Sequence, residues 1–321
     1  MNLRLLAGRL REAWVEYPAA RRAIKAVPAG RPIFLTGAHR SGTTWLASML
    51  ACSGIWYVHE PFAPYKGRWP SSFSYRPMAE RDDSVDELFT EVLNGGFRSA
   101  LGLANADHPL MPLRIVPPSF DRLLVKDPLA CLLTGYLTKR FDLRSLVLFR
   151  HPAGFASSVC RLGWPRGAFL RQFLDDRTLM EDHLEPYRAL LERHAGEDSL
   201  ASAAVLHGAI NRVLWHWVEL GIAQPLVFEH LCDQPIARLE ALFGALDLPY
   251  NEQVRDAHMA ACLGDEKASA EYLPHEIHRN SMAMSRSWVA QVDDAGLRTV
   301  REIWDAFQVP LYQSDQDWHR G

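Results

Sequence analysis

The amino-acid sequence predicts an α/β fold, a three-layer sandwich in which helices cover both faces of a central parallel sheet. Short apolar segments bounded by charged or turn residues recur along the chain, as expected for strands that are buried on both faces. Segments with helical periodicity separate them, and this alternation favours parallel strands joined by crossover helices. A glycine-containing loop between the first strand and the first helix is typical of a phosphate-binding site.

The elements follow in chain order. Predicted strands lie at 32–36, 55–59, 122–126, 145–149 and 225–229. Predicted helices lie at 42–52, 84–94, 128–139, 152–161, 182–194, 200–221, 234–246 and 293–307. Two long segments without a periodic pattern, 61–83 and 264–287, are predicted to be loops beside the site, because long loops of this kind are often functional.

Length and composition indicate one globular domain after a short N-terminal segment. The chain has 321 residues, of which 48% are hydrophobic and 23% are charged. We predict a basic helical segment at 1–30 and a single α/β domain at 31–321. The formal net charge of −3 gives no global basic field, which argues against a nucleic-acid partner. Oligomeric state cannot be read from these features.

The predicted location is cytoplasmic. Five cysteines without a Cys-x-x-Cys pair indicate a reducing compartment. No apolar run approaches the roughly 20 residues that span a bilayer, and the start lacks the apolar core of a secretory signal. Segment 1–30 has two interpretations: a helix that packs on the main domain, or a basic amphipathic surface in peripheral contact with anionic lipid.

The loop at 37–44 has the chemistry of a cradle for one phosphate-like anion. Gly37 and Gly42 stand at the spacing of the nucleotide-binding loop, but Thr43 replaces the lysine that reaches the β and γ phosphates. Backbone N–H groups, the following helix N-terminus and the charge of Arg40 are left to hold an anion. Its hydroxyl groups belong to Ser41, Thr43 and Thr44. We therefore predict a sheet of the P-loop nucleotide-binding type.

The same loop argues against a metal-bound triphosphate. A nucleoside triphosphatase needs lysine at position 43 and an acidic residue at a strand end to hold Mg²⁺. The third predicted strand ends in Lys126, followed by Asp127 and Pro128, which is a poor match to a magnesium site. We predict group transfer without a metal ion.

The segment from Arg40 to Thr44, placed after a strand, resembles the sulfotransferase superfamily, whose members take a sulfuryl group from 3′-phosphoadenosine 5′-phosphosulfate (PAPS). The resemblance implies that five loop residues bind the 5′-phosphosulfate, namely Arg40, Ser41, Gly42, Thr43 and Thr44. It also implies that Arg150, at a strand end, and Ser158, eight positions later, grip the 3′-phosphate. A guanidinium suits this task because it can bond to two phosphate oxygens at once.

Glu60 and Lys126 are the predicted catalytic residues besides Arg40. Glu60 ends the second predicted strand, and the resemblance to tyrosylprotein and carbohydrate sulfotransferases implies a glutamate base there, which takes the proton of an acceptor hydroxyl. His59 is the alternative base. Strand alternation predicts that it points to the opposite face, unless a loop already begins at this point. The segment that begins at Lys126 resembles one of tyrosylprotein sulfotransferases, which implies that this lysine stabilises charge on the sulfuryl group.

Weaker matches concern the donor and the acceptor. Ser285 and Arg286 lie where the family folds a loop over the nucleotide, and the resemblance implies that they contact the donor. Side chains that would either grip an acceptor or pack at the rim are Trp69, Arg68, Arg76, Trp164 and Arg166.

The leading hypothesis is PAPS-dependent sulfuryl transfer to a hydroxyl of a glycan, a glycolipid or a small metabolite, with Glu60 as general base and PAP as product. An ATP-dependent small-molecule kinase is the first alternative, and it predicts Mg²⁺ dependence. A catalytically inactive nucleotide-binding protein is the second, and it predicts binding without turnover.

Overall fold

The computed structural model describes residues 30–51, 55–94, 122–263 and 281–319. Five parallel strands form a sheet in the order β2-β3-β1-β4-β5. They are β1 (Ile33–Thr36), β2 (Trp56–His59), β3 (Leu123–Lys126), β4 (Arg144–Phe149) and β5 (Ala223–Val227). The predicted α/β class with a central parallel sheet is confirmed.

Helices connect and cover the strands. Before β4 they are α1 (Thr43–Ala51), α2 (Asp83–Leu93) and α3 (Thr134–Phe141). Between β4 and β5 they are α4 (Pro152–Arg161), α5 (Arg166–Asp175), α6 (Arg188–His194) and α7 (Leu200–Glu219), with short helical turns across 177–187. After β5 they are α8 (Phe228–Asp233), α9 (Pro235–Ala245), α10 (Glu252–Cys262), α11 (Ser281–Ser285) and α12 (Asp294–Ala306).

Strand residues alternate between two apolar layers, which makes the sandwich three-layered. On β1, Ile33 and Leu35 pack with side chains of α1, α9 and α10, whereas Phe34 packs on the opposite face with α2 and α3. Val147 of β4 joins a cluster with α4, α7 and α12 on the same face as Phe34. These four side chains are fully buried, as expected when helices cover both faces of a parallel sheet.

Several elements differ from the sequence pattern. The strand predicted at 225–229 begins and ends two residues earlier, because Phe228 opens α8 directly after Val227. The helix predicted at 182–194 begins as short turns and becomes regular only at Arg188. Neither α5 nor α10 was predicted, although the buried residues of α10 do recur at helical spacing, at Val254, His258, Ala261 and Cys262.

The helix predicted at 128–139 begins at Thr134 instead. The cause is Asp127, whose carboxylate accepts hydrogen bonds from the N–H groups of Leu129 and Ala130 at 3.0 and 3.1 Å. Local bonds of this kind give the backbone an alternative to the helix. The segment after β3 is therefore held in a turn beside the carboxyl end of the sheet.

The predicted basic segment 1–30 lies outside the described residues apart from Gly30, as does most of the predicted loop 264–287. The division into this segment and a domain at 31–321 stays a prediction. In the described ranges, no helix is both long enough and apolar enough to cross a bilayer.

Candidate active site

A cavity of about 710 Å³ opens at the carboxyl ends of the central strands, where ligands bind in sheets of this kind. The predicted site residues that line it are Arg40, Gly42, Thr43, Thr44, Glu60, Lys126, Arg150 and Ser158. Some of them are as many as 118 positions apart in the chain and touch each other in the fold.

Two glycines allow the loop between β1 and α1 to take its shape. A Cβ on Gly37 would lie 2.3 Å from the carbonyl oxygen of Leu148, so the loop passes too close to β4 for any side chain. Gly42 has a φ of +92°, and its Cβ would lie 2.5 Å from the ring of Phe228. The first N–H groups of α1, which begins at Thr43 in the cavity wall, have no acceptor within the helix and favour an anion.

Arg40 joins this loop to the second predicted motif. Arg40 Nε donates to Ser158 Oγ at 3.2 Å, and Arg150 Nη1 donates to the carbonyl oxygen of Arg40 at 2.6 Å. Arg161, at the end of α4, adds a third guanidinium to the cavity wall. Three arginines thus line the cavity, and their charge favours an anionic ligand.

Protein groups hold Arg150 almost completely out of solvent. Its residue surface is 8% exposed, and its guanidinium lies 5.2 Å above the ring of Phe228. Burial lowers its pKa, and the charge of Glu229 opposes that effect. Its Nε has no hydrogen-bond partner among the described residues. Arg150 nevertheless lines the cavity, and a buried guanidinium at that place favours a phosphate as its ligand.

Glu60 and Lys126 form an ion pair at the ends of neighbouring strands. The N–H of Glu60 donates to the carbonyl oxygen of Lys126 at 2.7 Å. Lys126 Nζ lies 2.5 Å from Glu60 Oε1, and the two side chains are only 2% and 13% exposed. Tyr65 Oη donates to the other carboxylate oxygen, Glu60 Oε2, at 2.7 Å. Both oxygens of this carboxylate therefore have a partner.

The surroundings of Glu60 keep it ionised. Burial alone raises its pKa, but the charges of Lys126 and His59, with the hydrogen bonds from Lys126 and Tyr65, outweigh burial and lower the pKa to about 2. The carboxylate can accept a proton at any physiological pH. It is a weak base as long as Lys126 stays bonded to it.

His59 lies on the same side of the site as Glu60, so the expectation of opposite faces was wrong. β2 ends at His59, and Glu60 has a φ of +48°, which breaks the strand alternation at that point. His59 Nε2 lies 3.6 Å from Glu60 Oε1, and its Nδ1 lies 2.9 Å from Tyr57 Oη. Both candidate bases line the cavity.

Asp127 positions the backbone that follows Glu60. Its carboxylate accepts a hydrogen bond from the N–H of Phe62 at 2.8 Å, and its carbonyl oxygen accepts one from Thr36 Oγ1 at 2.8 Å. Burial and the charge of Glu60 raise the pKa of Asp127 to about 7. The side chain is fully buried, and its contacts give it a structural role.

Three predicted donor contacts do not line the cavity. Ser41 is fully buried, and its hydroxyl has no partner among the described residues. The hydroxyl of Ser285 donates to the carbonyl oxygen of Met282, and Arg286 is exposed. Ser287, close by in the chain, lines the cavity instead.

Of the predicted acceptor side chains, Trp164 lines the cavity. The other four bond to neighbours elsewhere: Trp69 to Ser74, Arg68 to Glu91, Arg76 to Asp82 and Arg166 to Val159.

Sequence reasoning missed several residues of the cavity wall, namely His39, Tyr65, Arg161, Phe169 and Ser287. Arg161 carried a usable signal, since it follows Ser158 by three positions on α4 and therefore lies on the same side of that helix. Tyr65 and Phe169 belong to segments without a motif, and only the fold brings them to the site.

These observations agree with the comparison of the sequence with known protein families. A family model described as the Sulfotransferase family matches residues 32–252, which is well over half of the chain. The chain belongs to this family. No curated protein matches it in sequence.

Several solved structures resemble the chain at low identity. The sulfotransferase domain from the curacin biosynthetic pathway is 16% identical with a TM-score of 0.43, over 86% of this chain and 97% of that one. The sulfotransferase domain from the Synechococcus PCC 7002 olefin synthase is 16% identical with a TM-score of 0.46, over 88% and 96%. A mouse sulfotransferase in complex with PAP is 12% identical with a TM-score of 0.44, over 94% and 93%. The family assignment rests on the family model.

Proposed function

We propose that this protein transfers a sulfuryl group from PAPS to an acceptor hydroxyl, with Glu60 as the general base. The observation that carries the proposal is that one cavity joins three arginines to the Glu60–Lys126 pair. Sulfuryl transfer needs a binding site for an anionic donor and a side chain that accepts the proton of the hydroxyl, and both must lie in one cavity. Membership of the sulfotransferase family supports the reaction class.

The donor would occupy the arginine-lined part of the cavity. The loop at 42–44 and the N-terminus of α1 would hold the 5′-phosphosulfate, and Arg150 with Ser158 would hold the 3′-phosphate. Two observations fit such a donor: the buried charge of Arg150 lines the cavity, and the first N–H groups of α1, which begins at Thr43 in the cavity wall, have no acceptor within the helix. The contacts predicted for Ser41, Ser285 and Arg286 are left out, because these residues do not line the cavity.

Each catalytic side chain has a distinct task in this proposal. PAPS supplies the sulfuryl group. Glu60 takes the proton of the acceptor hydroxyl, while Lys126 and Arg40 stabilise the negative charge that develops on the transferring group and on the oxygen it leaves. The partly closed cavity strengthens these interactions because little water screens them.

The proposed acceptor carries a hydroxyl and belongs to one of three classes: glycans, glycolipids or small metabolites. Because the cysteine pattern indicates a reducing compartment, we propose that the reaction takes place in the cytoplasm.

The thermal stability of the protein with two nucleotides tests the donor assignment. A ligand that binds only the folded state raises Tm, so adenosine 3′,5′-bisphosphate is expected to raise it and ATP with Mg²⁺ is not. Arg150→Ala is expected to lose this shift, since it removes the buried guanidinium at the 3′-phosphate. Arg193→Ala, on an exposed surface away from the cavity, is the matched control and should keep it.

Two other results would contradict the proposal and favour one of the two alternative functions. A shift with Mg-ATP and none with the bisphosphate would favour the kinase alternative. Binding of the bisphosphate without turnover of any hydroxyl acceptor would favour an inactive nucleotide-binding protein.

Tyr65→Phe is expected to lower the KM for the acceptor by roughly threefold to fivefold and to leave kcat within about twofold. The Tyr65 hydroxyl lies at hydrogen-bond distance from Glu60 Oε2, which is where an acceptor hydroxyl must lie if Glu60 is the base. The ring is 67% exposed and free to turn outward, so the acceptor would displace it. Steady-state kinetics of PAP release, with the acceptor varied, measure both constants.

Tyr75→Phe is the matched control for this variant, because its hydroxyl bonds to Asp182 outside the cavity wall. Unchanged kinetics are expected there. A tenfold fall in kcat for Tyr65→Phe, with KM unchanged, would show that Tyr65 takes part in the reaction instead of competing with the acceptor.

A further inference from the structure

Part of the cavity wall is made of apolar side chains, namely Trp164, Phe169, Leu129 and Leu162, and His39 lies in the same wall. Such a wall offers little to the many hydroxyl groups of a sugar and favours a ligand with a compact apolar body. The whole cavity measures about 710 Å³ and has to hold donor and acceptor together, which limits the size of the acceptor.

His39 is the exception in this apolar wall. Aromatic rings surround its imidazole: Trp164 stacks on it at 4.7 Å with an interplanar angle of 5°, Phe155 meets it edge-on at 4.9 Å, and Phe73 lies at 5.2 Å. The residue is 2% exposed. In this structure these rings leave both imidazole nitrogens with almost no accessible surface, so a ligand reaches them only by moving a neighbouring ring aside.

Both ring nitrogens of His39 lack a hydrogen-bond partner among the described residues. Buried polar groups are nearly always paired in proteins, and an unpaired one marks a place where a ligand or a water completes the bond. Burial, with smaller effects from His207 and Arg40, lowers the pKa of His39 to about 3, so the imidazole is neutral. A neutral imidazole offers one N–H donor and one acceptor nitrogen.

His39 is also close to the reacting groups. It precedes Arg40 in the loop, and the charges of Arg40 and Glu60 both act on its pKa. A compact molecule can thus place its hydroxyl at Glu60 and a second polar group at His39. The aromatic-flanked imidazole would then select among acceptors, because only a molecule that moves a neighbouring ring aside and offers a polar group can bond to it.

We propose that His39 is the residue that selects the acceptor, and that the acceptor is a compact apolar alcohol or phenol with a second hydrogen-bonding group that meets this imidazole. The inference rests on the proposed function, which it deepens by naming one acceptor class among small metabolites. The alternative is a glycan acceptor, and the test below includes a sugar so that this alternative can be detected.

Binding of three probes to the protein saturated with adenosine bisphosphate tests the inference by calorimetry. The probes are para-cresol, para-hydroxyacetophenone, which inserts a carbonyl group between the ring and the methyl group of the same phenol, and methyl glucoside. We expect the ketone to bind roughly fivefold to tenfold more tightly than the cresol, as one net hydrogen bond allows, and the glucoside to bind most weakly.

Two variants separate hydrogen bonding from packing. His39→Phe keeps an aromatic ring and is expected to bind both phenols with equal affinity, whereas His39→Gln keeps a polar group and should restore part of the preference. In the wild type, the ¹⁵N resonance of the His39 ring is expected to move with the ketone and not with the cresol, which a purely structural role would not produce. The Tm of each variant shows that it is folded.

Three outcomes would overturn the inference: a ketone preference that survives in His39→Phe, a glucoside that binds more tightly than both phenols, or no binding of either phenol. These are distinct from failure of the proposed function, because that failure appears earlier, as the absence of a Tm shift with adenosine bisphosphate alone.

Discussion

Replacing Glu60 by Gln is expected to lower kcat by at least about a hundredfold, the lower end of what general bases contribute. The amide cannot take the proton of the acceptor hydroxyl. Its oxygen can still accept the hydrogen bond that Lys126 Nζ now makes to Glu60 Oε1 at 2.5 Å. The binding of adenosine bisphosphate should not change, because the arginines that would hold it do not depend on this carboxylate.

Single-turnover measurements with PAPS and a hydroxyl acceptor give the rate of the chemical step, and calorimetry with adenosine bisphosphate gives donor-site affinity. Glu219→Gln is the matched control, since Glu219 pairs with Arg212 away from the cavity. Near-normal turnover in Glu60→Gln, with a large loss in His59→Ala, would assign the base to the neighbouring histidine, whose Nε2 lies 3.6 Å from the same carboxylate oxygen.

The low pKa of Glu60 links the strength of the base to donor binding. A carboxylate with a pKa of about 2 is a poor base, and Lys126 provides the largest lowering contribution. If Lys126 turns its ammonium group toward an anionic donor, its hold on Glu60 weakens and the pKa of the carboxylate rises. We therefore expect donor binding to strengthen the base, so that the protein becomes competent for proton transfer when the donor is in place.

The parts of the site that could be predicted lie in short segments with local signals. The loop at 37–44 and the pair Arg150 and Ser158 each follow a buried strand, and parallel strands bring their carboxyl ends to one edge of the sheet. The order of the strands carried no such signal, because all five are short, largely apolar segments that look alike in sequence. The sequence pattern thus predicted that Arg40 and Ser158 lie at the same edge of the sheet. It did not predict the hydrogen bond between them, which only the structure shows.

The sequence did not predict two features of the site. One depends on the backbone conformation at Glu60, and the other on contacts between residues that are far apart in the chain. The expectation that His59 and Glu60 face opposite ways holds inside a strand and fails here, because Glu60 is already outside β2 with a φ of +48°. The surroundings of His39 come from Phe73, Phe155 and Trp164, which belong to three separate segments. No periodicity in one segment reports such a contact.

Replacing Lys126 by Met is expected to lower kcat by roughly a hundredfold to a thousandfold, the range found when one charge-stabilising donor is removed. Methionine has nearly the same length, so the core around this fully buried side chain should keep its packing. The buried Glu60 would lose its main cation, and breaking such a pair by removing one partner typically costs about 3–5 kcal/mol. A lower Tm is expected as well, although Tyr65 keeps its bond to the carboxylate.

The Lys126→Met variant loses charge stabilisation in the reaction and also changes the pKa of Glu60. The pH profile of kcat/KM separates these two effects. Glu60 must be ionised to act as a base, so activity falls as pH drops through its pKa. In the donor-free wild type, which kcat/KM for the donor reports, that pKa is about 2, and the acid limb due to Glu60 lies below the range in which the protein can be assayed. Without the lysine charge the pKa of Glu60 rises, and the acid limb should move up into the accessible range. Lys126→Arg keeps the charge and should leave the limb where it is. A Met variant with turnover within tenfold of the wild type and an unmoved acid limb would contradict a catalytic role for Lys126.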